Sequence, residues 1–177
     1  MGRLTWLTLG FLLVASGTPA QAPDSGSSGE TSELGSEPIT VIPRPPPADP
    51  LKVALGERLF ADRRLSHDGA LACSSCHDVS TNGAGKNMRT TPKAGSAAPL
   101  NVPTVFNAAL SFRLNWEGNV RTLEAQAEAS LADPANMASS IAEVLSKLNA
   151  DPRSVTEFGA AYGRPPDRAN LLDAIAS

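Results

Sequence analysis

The run Cys73-Ser74-Ser75-Cys76-His77 constrains this chain more than any other feature. It holds both cysteines of the chain and one of its two histidines. Cys-x-x-Cys-His is the attachment signature of a c-type haem. Two intervening residues on a helical turn match the separation of the two porphyrin vinyl groups, each of which takes one thiol. The adjacent histidine then reaches the iron as its proximal ligand. Covalent attachment keeps such a group bound even in a small domain. Other readings carry less. Structural zinc usually takes four Cys or His ligands, and the only further one here, His67, is off the usual spacing. A thioredoxin-like redox pair needs a strand-helix-strand context that the sequence lacks. A disulfide across two residues is strained. The motif therefore predicts one haem c, held by Cys73 and Cys76 and ligated through iron by His77.

The rest of the chain divides into three parts. Residues 1–22 place Arg3 before an apolar run from Leu4 to Ala15, followed by small residues. That is the layout of a secretory signal peptide, with cleavage after Ala20 or Ala22. The run falls short of the roughly 20 apolar residues a spanning helix needs, so no membrane span is expected once the signal is cleaved. Residues 23–49 are rich in Ser, Gly, Pro and Glu, with Pro45, Pro46 and Pro47 consecutive. Such a segment buries too little apolar surface to offset its ordering entropy and reads as a disordered tether. Residues 50–177, about 128 in all, are one domain's worth. Arg44 stands against five acids in the tether, whereas the remaining 13 basic and 13 acidic residues of the domain balance. The acidic pI of about 5.4 thus comes from the tether, and no basic surplus points to nucleic acid.

Within the domain the periodicity is helical. Leu51, Ala54, Leu55, Leu59 and Phe60 share a face after Asp49 and Pro50, a capping residue and a first-turn proline. Helices are also expected around the Cys pair, over "VPTVFNAAL" from Pro103, over "RTLEAQAEASLAD" with Asn119 or Thr122 as cap, over "SSIAEVLSKLNAD", after Pro152 as far as Gly163, and from Asp167 onward. Residues 79–102 read as a long loop. The expected class is all-α, a cytochrome c-like domain with long loops. The last helix runs to Ser177 with no stop signal, so the chain reads as cut within an element.

The blocks "LGERLFADRRLSHDGALACSSCHD" and "LNVPTVFNAALSFRLNWEGNVRTLEAQAEASLADPANM" resemble the bacterial di-haem cytochrome c peroxidase family, which includes the methylamine-utilisation di-haem enzyme. The resemblance covers about Leu51 to Ser177. It implies the N-terminal of two haem domains and a periplasmic oxidoreductase that reduces hydrogen peroxide. Electrons would come from a small periplasmic donor, a cytochrome c or a cupredoxin. A homodimer is a further implied assembly. By the same resemblance Gln126 lines the peroxide pocket and Trp116 is an electron conduit between haems. Asn101 contributes to a calcium site whose other ligands come from the second domain. As plain residues, Trp116 reads as a core aromatic and Gln126 as a polar residue on a helix surface.

Two departures from the family matter. The slot of its distal histidine falls near Lys93, which leaves Met88 and Lys93 as candidate sixth iron ligands. Met88 has the better precedent among cytochromes. The family glutamate that shuttles protons stands where this chain has Asn136, and an amide carries no proton at neutral pH. A haem c electron-transfer protein without peroxidase activity is therefore the alternative. From Val79 to Trp116 the sequence has four basic residues and no acid, a patch suited to haem propionates or an acidic partner.

Overall fold

The computed structural model describes residues 42–44, 47–85 and 101–177. The expected signal peptide, nearly all of the tether, and Met88 and Lys93 lie outside the described residues. The chain divides into two units, Met1–Arg44 and Pro45–Ser177. Of the first, only Ile42, Pro43 and Arg44 are described, and they carry no regular structure.

The second unit is built from short helices, most of them started by a side chain that the sequence makes obvious. Asp49 accepts the Leu51 amide and Pro50 opens α1, Pro50–Phe60. The turn α2, Cys73–Cys76, carries the two thiols. Thr122, rather than Asn119, accepts the Ala125 amide and caps α3, Leu123–Ala132. Ser140 caps α4, Ile141–Asn149. Asp151 caps α5, Pro152–Tyr162, which ends at Gly163 in the left-handed region (φ 69°). Asp167 and Asn170 exchange hydrogen bonds in a capping box that starts α6, Arg168–Ala176. Extended pairing among the described residues is limited to one antiparallel bridge, Leu114 with Val120. The all-α expectation holds.

One expected helix does not form. The stretch from Pro103 yields only a 3-10 turn, Ala108–Leu110. The Thr104 hydroxyl accepts the Phe106 amide, and Asn107 sits in the left-handed region (φ 57°). Both spend backbone geometry that a helix would need.

Helix α1 crosses α6, and α3 also packs on α6. Leu55 and Leu59 of α1, Leu131 of α3, Val144 and Leu148 of α4, Phe158 of α5, and Leu171, Leu172 and Ala174 of α6 meet in one core. Phe158 is completely buried at its centre. Phe158→Ala should cost about 3–5 kcal/mol, the usual range for removing a buried ring. Denaturant unfolding of the wild-type and variant proteins measures it, and a loss below about 1 kcal/mol would mean the core closes over the gap.

The turn that leads into the thiols is fixed to this core from three sides. The His67 amide donates to the Met137 carbonyl (2.9 Å). Lys147 Nζ donates to the carbonyls of Ser66 (2.8 Å) and His67 (2.9 Å). Arg64 bridges Asp62 and Asp151. These pairs are partly exposed and contribute little stability individually. Their effect is positional, since they set where the chain enters α2.

Candidate haem-binding site

Cys73 and Cys76 stand three residues apart on α2, so both thiols lie on one side of the turn. Both are half-buried, and no disulfide joins them. Burial pushes the Cys73 thiol up to about 11, and the nearby Cys76 adds to this. The thiol is therefore protonated at neutral pH. The helix stops at once after Cys76. The His77 amide still donates to the Cys73 carbonyl (2.9 Å), but His77 itself is extended (φ −103°, ψ 106°). That break swings the imidazole off the helix axis.

The ring is then fixed by a loop that sequence reasoning overlooked. His77 Nδ1 lies 3.2 Å from the Gly83 carbonyl oxygen. A carbonyl only accepts, so Nδ1 carries the proton and Nε2 keeps its lone pair. Burial lowers the pKa of His77, while the Gly83 and Pro103 carbonyls act in the opposite sense. Phe60, at the end of α1, packs a tilted ring against the imidazole with centroids 6.1 Å apart. Donation of one ring N–H to a backbone carbonyl is a usual feature of a metal-binding histidine.

Gly83 is held in place by its neighbours. Its amide donates to the Asp78 carbonyl (2.9 Å), and the Asp78 amide donates to Ala84 (3.0 Å). Its φ is +71°, and a Cβ there would lie 3.0 Å from Phe106 Cδ1 and 3.1 Å from Thr104 Oγ1. The left-handed backbone disfavours a side chain, and any Cβ would push its neighbours aside by a few tenths of an ångström. The only signal in the sequence is a glycine six residues after the histidine, in "STNGAG".

The remaining residues stand as follows. Gln126, on α3, donates from Nε2 to Ser130 Oγ (3.2 Å). Its Oε1 is buried without a partner among the described residues, which is more than a surface amide would show. Trp116 is not a core aromatic, being 60% exposed. Its indole N–H donates to the Asn101 carbonyl (2.7 Å) and so ties two sequence-selected residues together. The Asn101 residue is itself exposed, and no group of three His, Cys, Asp or Glu side chains among the described residues could hold a metal ion. Asn136 is exposed and donates from Nδ2 to Asp133 Oδ2 (2.8 Å), while its neighbour Met137 is buried in the core. His67 is an exposed turn residue whose Nδ1 lies 3.0 Å from Glu143.

These residues fit a haem c. Two thiols share a turn, a histidine fixed by the Gly83 carbonyl follows them, and a buried amide oxygen in α3 lacks a donor among the described residues. A bound haem would find an iron ligand in His77 and a hydrogen-bond acceptor in Gln126.

Comparison with known proteins agrees with this arrangement. Residues 50–177 match the family model described as di-haem cytochrome c peroxidase. The chain is 36% identical over 151 residues to cytochrome c peroxidase Ccp of Escherichia coli, covering 85% of this chain and 32% of that protein. It is 32% identical to the cytochrome c551 peroxidase of Pseudomonas aeruginosa, covering 96% of this chain and 50% of that one. Among solved structures, a MauG-like protein associated with microbial copper homeostasis superposes with a TM-score of 0.68 at 30% identity, over 82% of this chain and 45% of that chain. The chain thus spans a third to a half of the length of these relatives. With the helical fold and the thiol–histidine turn on the same residues, the chain belongs to the di-haem cytochrome c peroxidase family.

Proposed function

We propose that this chain is a haem c domain of a periplasmic oxidoreductase that reduces hydrogen peroxide with electrons from a small redox protein, a cytochrome c or cupredoxin. Residues 1–22 are the export signal, 23–49 the tether and 50–177 the haem domain. The observation that carries the proposal is the His77 ring, fixed through Nδ1 to the Gly83 carbonyl, directly after two thiols on one turn. When bound, the haem supplies an iron that takes peroxide and exchanges electrons. Cys73 and Cys76 would hold it through thioethers, and His77 would ligate its iron. The Gly83 carbonyl polarises the Nδ1 proton and makes the Nε2 lone pair more basic. Gln126 Oε1, buried without a partner among the described residues, is the acceptor that would orient a polar guest. Trp116, exposed and anchored to Asn101, is the electron conduit. Calcium at Asn101 requires ligands from a second domain, and Met88 is the proposed sixth ligand in a resting state.

A second reading, an electron carrier without catalysis, is favoured by one observation. Asn136 is bonded to Asp133 and carries no titratable proton. Peroxide cleavage needs a group that moves a proton between the two oxygens. The spectrum and turnover of the purified haem protein separate the two. High-spin ferric iron with peroxide turnover supports the peroxidase. Low-spin, six-coordinate iron inert to peroxide supports the carrier. Asn136→Glu should raise turnover on the order of 100-fold or more, the usual worth of a placed acid–base group. An unchanged rate in that variant would remove position 136 from the mechanism.

A further inference from the structure

The oxygen that orients His77 is shared. The Gly83 carbonyl accepts the Val105 amide (3.1 Å) as well as His77 Nδ1 (3.2 Å), one donor for each of its lone pairs. Residues 102–106 lie along the 78–85 loop as a clip. The Gly85 amide donates to the Val102 carbonyl (3.3 Å), and Thr104, Val105 and Phe106 close over Gly83. Glycine at φ +71° is the residue least able to hold its own conformation, so its carbonyl has to be aimed from outside. The peptide unit just before that carbonyl, Asn82–Gly83, is pinned at both of its polar groups. Its N–H donates to the Asp78 carbonyl (2.9 Å). Its carbonyl oxygen, that of Asn82, accepts from the Thr104 hydroxyl. The same hydroxyl accepts the Phe106 amide (3.0 Å). A hydroxyl donates and accepts at once, whereas a methyl in its place does neither.

We propose that Thr104 is a positioning residue for the iron ligand: by pinning the Asn82–Gly83 peptide it keeps the Gly83 carbonyl on His77 Nδ1, and so sets the reduction potential of the iron that His77 binds. This rests on the haem reading above and adds a residue that touches neither the thiols nor the peroxide pocket in that reading. The Gly83 carbonyl draws on the Nδ1 proton, which makes Nε2 a stronger donor and favours ferric over ferrous iron. Releasing the loop has two consequences of opposite sign. Loss of the hydrogen bond to His77 weakens the donor and raises the potential. Water admitted to a loosened pocket stabilises the more highly charged ferric state and lowers it. The sign of the shift therefore separates aiming of the ligand from simple opening of the structure.

Spectroelectrochemistry of the haem-loaded chain and three variants tests this. Thr104→Val should raise the midpoint potential, so that the ferrous-to-ferric ratio at a fixed applied potential rises at least about threefold, or about 28 mV at 59 mV per tenfold for one electron. Thr104→Ser keeps the hydroxyl and should stay with the wild type. Thr156→Val removes another exposed hydroxyl, one that donates to the Pro152 carbonyl (2.9 Å) in α5, and should also leave the potential where it was. Thr104 is exposed, so circular dichroism should show its variants folded. Amide hydrogen exchange supplies a second measurement, since the Gly83 and Val105 amides should exchange faster in Thr104→Val than in Thr104→Ser. An unchanged or lowered potential in Thr104→Val overturns the proposal. So does an equal rise in Thr104→Ser or Thr156→Val. A pyridine haemochrome assay keeps the two readings apart. Without covalent haem in the wild type the haem reading fails and takes this one with it, whereas bound haem with an unmoved potential removes the role of Thr104 alone.

Discussion

Replacing Cys73 and Cys76 together with alanine is expected to abolish all haem that survives acid-acetone extraction and denaturing electrophoresis, whereas the wild-type chain keeps its full complement. The effect is all or none because a thioether is a covalent bond, and non-covalent haem leaves once the fold is lost. The two thiols are the only cysteines in the chain, so no other residue can substitute. They lie on one side of a four-residue helix, so one planar group can reach both. Either single alanine variant should retain haem through one bond. Its alkaline pyridine haemochrome should absorb at longer wavelength, since one vinyl group stays conjugated with the porphyrin. His77→Ala should behave differently from all of these. Covalent haem remains, but the iron loses its proximal nitrogen and the ferric spectrum changes. Haem that resists extraction in the double variant would remove this turn as the attachment site.

The residues that announce themselves in the sequence are those whose bonds close within a few positions. Asp49, Ser140, Asp151 and Asp167 each accept an amide two or three residues ahead, and Asp49 and Asp167 are legible as caps from the sequence alone. The thiol–histidine turn is local in the same sense. Asn119 shows where local reasoning stops. It looked as suitable a cap as Thr122, but its side chain is spent on Asn115 and Glu117 inside the hairpin. The helix expected from Pro103 fails for a similar reason. Its backbone bends to pack Thr104, Val105 and Phe106 against Gly83, twenty or more residues earlier.

The site divides along the same line. That His77 is a ligand could be read from five residues, but not what orients it. The Gly83 carbonyl acts only because the 78–85 loop closes and Thr104 donates to the Asn82 carbonyl across it. Whether Trp116 was core or surface depended on a hairpin of one bridge, which leaves no periodicity to detect. Gln126 looked like an ordinary polar helix residue, and only burial of its unpartnered oxygen distinguishes it. Sequence patterns report faces of helices, whereas these three facts depend on which loops meet.

Gly56→Ala should be among the most damaging single changes in the helical framework. Gly56 lies on the face of α1 that crosses α6, and an ideal Cβ there would stand 2.0 Å from the Ala174 carbonyl oxygen and 3.2 Å from its carbon. The obstacle is backbone, so no rotamer change relieves it. The helices must separate, and Leu55, Leu59, Leu171 and Ala174, now almost completely buried along that crossing, lose contact together. Alanine gains about 1 kcal/mol over glycine in helix propensity. Overpacking a filled core costs about 1–3 kcal/mol or more, and the lost burial adds to that. A net loss of about 3 kcal/mol lowers the melting temperature on the order of 10 °C in a domain of this size. Gly159, in α5, supplies the internal control. A Cβ at that position meets nothing within 4 Å, so Gly159→Ala should keep the propensity gain and raise stability by up to about 1 kcal/mol. The two variants make the same chemical change in two helices and should move the melting curve in opposite directions. If Gly56→Ala melts with or above Gly159→Ala, α1 and α6 are not in the close contact that defines this fold.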